Sequence, residues 1–159
     1  MTQPPCVAKV SIAADREIHV ERTFEAPRDR VWRAMTDPKL LVQWWGRGNP
    51  LTVETYEFRR GGHWRFIEHS AQGDFGFEGR FREIKPPEHL ELTFDFDGAP
   101  GHVVVNLITL HELDGSRTRL TSRSLFYNNA DRDGMTQAGM ERGMNESYTA
   151  LDRVLAAMG

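Results

Sequence analysis

The chain is poor in the features that most quickly assign a function. It holds one cysteine, Cys6, which excludes an intramolecular disulfide and leaves no cysteine pair at metal-ligand spacing; a free thiol in a reducing cytoplasm is the expectation. No apolar run reaches the length of a membrane span. The opening residues, MTQPPCVAKVSIAADR, lack the basic start and long apolar stretch of a secretory signal. Charge of one sign is missing too: 20 Lys and Arg stand against 23 Asp and Glu, a net of -3, and the basic residues are spread along the chain. A nucleic-acid partner, which calls for a basic face, is not expected. No Gly-x-Ser-x-Gly turn exists for a hydrolase nucleophile. Gly61-Gly62 is not followed by the Lys-Ser/Thr of a phosphate loop, and His63 and His69, read as exposed, are too far apart to share a metal without a third ligand. No cofactor and no metal are therefore expected. Repeats and linkers are absent as well, so one domain over 16–159 is read, after a flexible segment over 1–15.

What is present is a soluble composition, 39% hydrophobic and 27% charged, and a marked change of period along the chain. Ile18, Val20 and Arg22 alternate with His19, Glu21 and Thr23 in a first strand. Pro27 and Asp29 suit a helix start, with Val31, Trp32 and Met35 as its apolar face. Asp37-Pro38 repeats the signal for a second short helix that carries Leu40, Leu41, Trp44 and Trp45 to a stop at Gly46. The tryptophan pair is read as a plug packed toward the sheet, with a homodimer patch as the alternative.

From Leu51 the period is two. Arg59-Arg60-Gly61-Gly62 reads as a turn; Trp64, Phe66 and Glu68 share a face, as do Phe75, Phe77, Gly79 and Phe81, then Leu90, Leu92, Phe94 and Phe96. In the strand from Val103 to Leu113 the odd positions, including His111, look slightly more apolar. Thr118, Leu120, Ser122 and Phe126 oppose Arg117, Arg119 and Arg123, which should face water. A closing helix starts between Asp131 and Thr136 and carries Met140, Met144, Ser147, Tyr148, Leu151, Val154, Leu155 and Met158 on one stripe. Asp152 falls on its polar side; Gly139 and Gly143 fall inside it, as at a close approach or in a helix able to lift. Strand, helices, strands and helix, in that order, let one long helix lie across a curved antiparallel sheet.

Three stretches carry a family resemblance: F-x-A-P-x-x-x-V-W-x-A-x-T-D-P-x-x-L-x-x-W-W-G from Phe24 to Gly46, R-x-G-G-x-W-x-F from Arg59 to Phe66 leading to G-x-F-x-E-I-x-P-P-E-x-L from Gly79 to Leu90, and a helical pattern through Gly143, Met144, Tyr148 and Leu151. The chain resembles the Bet v 1-like, START-related helix-grip superfamily, in the branch similar to the C-terminal domain of the Hsp90 ATPase activator. It departs at Met144, where many relatives carry tryptophan. The resemblance implies an α+β helix-grip fold: a curved antiparallel sheet wrapped around a long C-terminal helix, two short helices after the first strand, and an apolar cavity between sheet and helix. It does not choose among carriers, cyclases, hydrolases and partner modules.

The candidate ligand-binding set is Trp64, Phe66, Glu68, Phe77, Phe81, Leu92, Phe94, Leu120, Ser122, Met140, Met144, Ser147 and Tyr148. Core packing explains each apolar member singly as well as a pocket does. As a set they suit a small apolar or amphipathic molecule, with Tyr148, Ser147, Ser122 and Glu68 to orient it and the methionines as an adaptable wall. For the alternative of a cyclase- or hydrolase-type enzyme, Glu68, His111 and Tyr148 are the candidate proton carriers. A third alternative is a protein-partner module like the Hsp90 co-chaperone, acting through its outer face.

Overall fold

A computed structural model describes residues 7–12 and 15–158. Its eight strands form one antiparallel sheet in the order β1-β2-β8-β7-β6-β5-β4-β3. In chain order these are β1 (Lys9–Ser11), β2 (Glu17–Phe24), β3 (Leu51–Tyr56), β4 (His63–Ser70), β5 (Gly73–Lys85), β6 (His89–Phe96), β7 (Val104–Asp114) and β8 (Arg117–Leu125). Two short helices, α1 (Arg28–Thr36) and α2 (Pro38–Leu41), join β2 to β3; α3 (Asn129–Gln137) and α4 (Met140–Ala157) end the chain. This is the helix-grip α+β architecture.

Alternation sets the faces. Ile18, Val20, Arg22 and Phe24 of β2 point inward, opposite Ser124, Ser122, Leu120 and Thr118 of β8. On β4, Trp64, Phe66 and Glu68 are buried, and Phe66 stands opposite Phe77 of β5. A second line of anchoring comes from side chains that satisfy helix ends. Asp37 caps α2 by accepting from the Lys39 N–H at 3.0 Å, and Trp44 Nε1 donates to the Ala34 carbonyl at 2.9 Å. Thr118 Oγ1, fully buried, donates to the Ala26 carbonyl at 2.7 Å and ties β8 to the start of α1.

The structure settles the face of β7 that the sequence left open and changes the reading of the last helix. The inward face of β7 is the even one: Val104 and Leu110 are buried and Ile108 packs on the core, because they lie opposite Phe94 and Leu90 of β6 and Leu120 of β8. His111 therefore lies outside. The closing helix is two helices: Gly139 adopts φ 85, a left-handed conformation that interrupts the path between α3 and α4. Within the segment expected to be flexible, Lys9–Ser11 pair with β2 and the Ala8 N–H donates to Asn145 Oδ1 of α4 at 3.0 Å; residues 1–6 and 13–14 lie outside the described residues.

A tight crossing in the sheet is at Gly79, where an added Cβ would sit 1.9 Å from the Thr93 carbonyl oxygen and 2.8 Å from Trp64 Nε1. Backbone on one side and a buried indole on the other leave no room to yield. Gly79→Ala is expected to cost about 2 kcal/mol or more, read as a lower urea midpoint with an unchanged slope. A midpoint equal to wild type would show that β5 and β6 separate there without penalty.

Candidate functional site

Between the sheet and α4 the interior is lined by aromatic rings and filled by one of them. The short α2 ends at Leu41, earlier than the Gly46 stop expected, and the chain turns so that Trp44 and Trp45 diverge. Trp44 is buried under α1. The Trp45 ring enters the interior, with ring centroids 5.1 Å from Phe66 and from Phe77, 6.0 Å from Trp64 and 6.4 Å from Phe94. Its contacts with Trp64, Phe66 and Phe77 are edge-on, the geometry that favours aromatic pairs. The plug expected of the tryptophan pair is thus a single ring in the middle of the candidate pocket.

Polar groups hold that ring in place. Ser147 Oγ of α4 donates to the Trp45 carbonyl at 3.1 Å. Two residues on, Arg47 takes φ 59, a left-handed conformation that costs a non-glycine residue about 1 kcal/mol or more and persists where its surroundings demand it. The demand comes from Glu68, buried at 3% exposure: Arg47 Nη2 donates to its Oε2 at 2.6 Å and Asn49 Nδ2 to the same oxygen at 2.9 Å. Glu68 holds the Arg47 guanidinium above its usual pKa, chiefly through that hydrogen bond. The Arg47 side chain crosses α4 at Gly143, where a Cβ would meet Arg47 Cδ at 3.1 Å. The close approach expected at Gly143 is therefore to this loop, not to the sheet.

A second polar anchor lies deeper. Arg22 on β2 is 1% exposed and forms a two-bonded pair with Asp152 of α4, Nη1 to Oδ1 at 2.6 Å and Nη2 to Oδ2 at 2.7 Å. Its guanidinium carbon sits 4.6 Å from the Phe24 ring centroid and 5.8 Å from that of Tyr148, in reach of a cation–π attraction. Asp152 thus does not simply face water. Burial pushes the Tyr148 phenol up to about 12, with Arg22 pulling the other way, so the ring carries no charge at neutral pH.

The candidate set divides. Trp64, Phe66, Phe81 and Leu120 are buried in the main core, and Phe77, Leu92 and Phe94 pack against it. Ser122 faces inward between Val20 and Ile108. Met140 and Met144 do not join these residues: α4 begins over a separate cluster of Ala8, Ile18, Val20, Val104 and Phe126, and the methionines pack there. Phe94 and Tyr148 touch both clusters. The three proton-carrier candidates are not brought together. His111 is on the outer face, where its Nε2 bonds Thr121 Oγ1 at 2.9 Å, while Glu68 is engaged by Arg47 and Asn49. His63 and His69, expected to be exposed, are half-buried on the outer face, bonded to Glu78 and Asp74. A hollow of about 10 Å³ beneath α1, lined by Trp32, Met35, Thr36, Leu90, Ile108 and Leu110, holds no more than a water.

Residues 25–156 match the family model described as Activator of Hsp90 ATPase homolog 1-like protein. The chain belongs to this family. Solved structures agree with the activator-like assignment over nearly the whole chain. A crystal structure of a Rhodobacter sphaeroides protein is 28% identical, covers 94% of this chain and 99% of its own, and superposes with a TM-score of 0.85. A solution structure from Arthrobacter aurescens is 30% identical over 92% of this chain and 93% of its own, with a TM-score of 0.81. The crystal structure of protein Ms6760 from Mycobacterium smegmatis, 22% identical over 95% of this chain and 97% of its own, also has a TM-score of 0.81 and shares the fold. No match is found among curated proteins. The activator-like family accounts for the helix-grip architecture and supports a ligand-binding domain in general terms. Within it, Arg47, Asn49 and Asp152 are the residues whose polar bonds the sequence pattern did not signal, while Trp45 and Arg22 were visible only as a plug and as a strand position. The signal for Arg22 was its place in the inward alternation of β2.

Proposed function

We propose that the chain binds a small apolar or amphipathic molecule in the interior between sheet and α4, with Trp45 withdrawing to admit it. One observation supports this reading above the others. The centre of the aromatic interior is occupied by a ring from a loop, and that loop is held by this one ring and by polar bonds from Arg47, Asn49 and Ser147, not by strand pairing. None of these bonds belongs to a strand ladder, so the loop can leave without dismantling the sheet once water or a ligand takes over the Glu68 carboxylate. The vacated volume would then be walled by Trp64, Phe66, Phe77 and Phe94, with Ser147 available to orient a polar end of the ligand. Binding without chemical turnover is the form of this proposal, since His111 lies on the outer face and Glu68 is engaged by Arg47 and Asn49. The lone cysteine supports a reducing, cytoplasmic setting.

Native mass spectrometry of protein isolated from cells, followed by denaturation and identification of what is released, tests the proposal. A hydrophobic molecule at near-unit occupancy is expected. Glu68→Gln, which removes the charge that Arg47 and Asn49 grip, should raise the rate of acrylamide quenching of tryptophan fluorescence several-fold and speed ligand exchange. Ligand-free protein, together with quenching that Glu68→Gln leaves unchanged, would refute both the carrier and the withdrawing loop.

A further inference from the structure

A cleft on the outside of the sheet carries a different ligand chemistry. The turn between β3 and β4 folds against β5: the Gly61 N–H donates to the Phe81 carbonyl at 2.7 Å, and the Phe81 N–H to the Gly62 carbonyl at 3.0 Å. On β5, exposed Arg80 and Arg82 flank buried Phe81. A shallow, solvent-open depression results, lined by Arg60, Gly61, Arg80, Phe81 and Arg82.

Two of the three arginines there have no acidic partner among the described residues: Arg60 and Arg82 form no ion pair, and the Arg80 guanidinium bonds to the Gly61 carbonyl at 3.3 Å. Contrast Arg65 on the adjacent strand β4, which is met by Glu54, Glu78 and Asp97. The acid at the turn, Glu57, is already held by Arg59 at 3.6 Å and by the His63 N–H at 2.9 Å. Its carboxyl is lowered below the usual carboxylate range, first by the His63 bond and then by Arg59 and Arg80.

We propose that this cleft is an anion site that takes the phosphoryl group of a small molecule. Guanidinium groups are planar forks that match two oxygens at a time, so one arginine satisfies a carboxylate. A phosphoryl group offers more oxygens and charge, and suits several forks approaching from the turn and from β5. The site is open to solvent, which makes binding weak and strongly salt-dependent.

Titration with inorganic pyrophosphate at constant ionic strength, followed through the arginine Nε–H signals in a proton–nitrogen correlation spectrum, tests it. Saturable shifts are expected at Arg60, Arg80 and Arg82, and none with acetate at the same ionic strength. Arg60→Ser with Arg82→Ser, both exposed, should leave melting unchanged and weaken pyrophosphate binding by about tenfold or more. Arg33→Ser with Arg153→Ser, exposed arginines elsewhere that form no ion pair among the described residues, should leave affinity unchanged. Shifts that never saturate, equal response to acetate, or equal losses in the two double variants would overturn the proposal.

Discussion

Trp45→Ala is expected to yield a folded, less stable protein that binds indole where the wild type does not. Removing a large aromatic side chain from a packed interior costs about 3–5 kcal/mol, because the transfer energy is lost and the space left behind closes only in part. For a chain of this size that loss lowers the melting temperature by about 10 °C. The space left has the shape of the missing ring, with the edges and faces of Trp64, Phe66, Phe77 and Phe94 already set around it. Indole at a hundredfold excess over its Kd should restore about 2.7 kcal/mol, seen as a melting temperature that climbs with ligand concentration. The wild type, its slot occupied, should not respond. If the variant melts as the wild type does, the Trp45 ring contributes nothing to the core. If it is destabilised but deaf to indole, the walls have collapsed and the interior is an ordinary core, which would count against the proposed carrier function.

Much of this arrangement was legible in the chain, and the reason is geometric. In β4, β5 and β6 one face is apolar and the other largely polar, so period-two alternation puts Trp64, Phe66, Phe77 and Phe94 inside, while Glu68 on the same face could equally have lain at the rim. On β7 both faces are apolar near its start, with Val105 and Leu107 outward and Val104 and Ile108 inward; there the register with β6 and β8 decides, and register is not a local property. The break at Gly139 was hidden for a related reason, since a glycine within an apolar helical stripe is compatible with continuation, a bend or a stop. Trp45 could be seen as a plug but not placed, because its position depends on how far α2 runs before the chain turns.

The buried ion pair shows the limit of pattern reading most sharply. Alternation set Arg22 on the inward face, and helical spacing set Asp152 on the polar face of the last helix; nothing local joined residues 130 positions apart. Their pairing leads to a large expected effect. Asp152→Ala should cost about 2–4 kcal/mol, because it leaves a guanidinium of 1% exposure without the carboxylate that meets it in two bonds. The lower end of the range applies if water reaches Arg22 through the side of Asp152, which is 41% exposed. Arg22→Met in the same background should recover much of the loss, since an unbranched apolar side chain fills the space beside Phe24 and Tyr148 and carries no charge to desolvate. Denaturant midpoints of the two single variants and the double variant, combined as a cycle, separate the pair from its surroundings. A double variant less stable than Asp152→Ala would mean that Arg22 serves through its contacts with the two rings and not through its partner on α4. Recovery in the double variant would identify the pair as a clamp between β2 and the last helix, with the rings as its packing. The clamp matters for function because α4 forms one wall of the interior. With α4 fixed to β2 at Arg22, the proposed entry of a ligand would have to come from movement of the loop that carries Trp45.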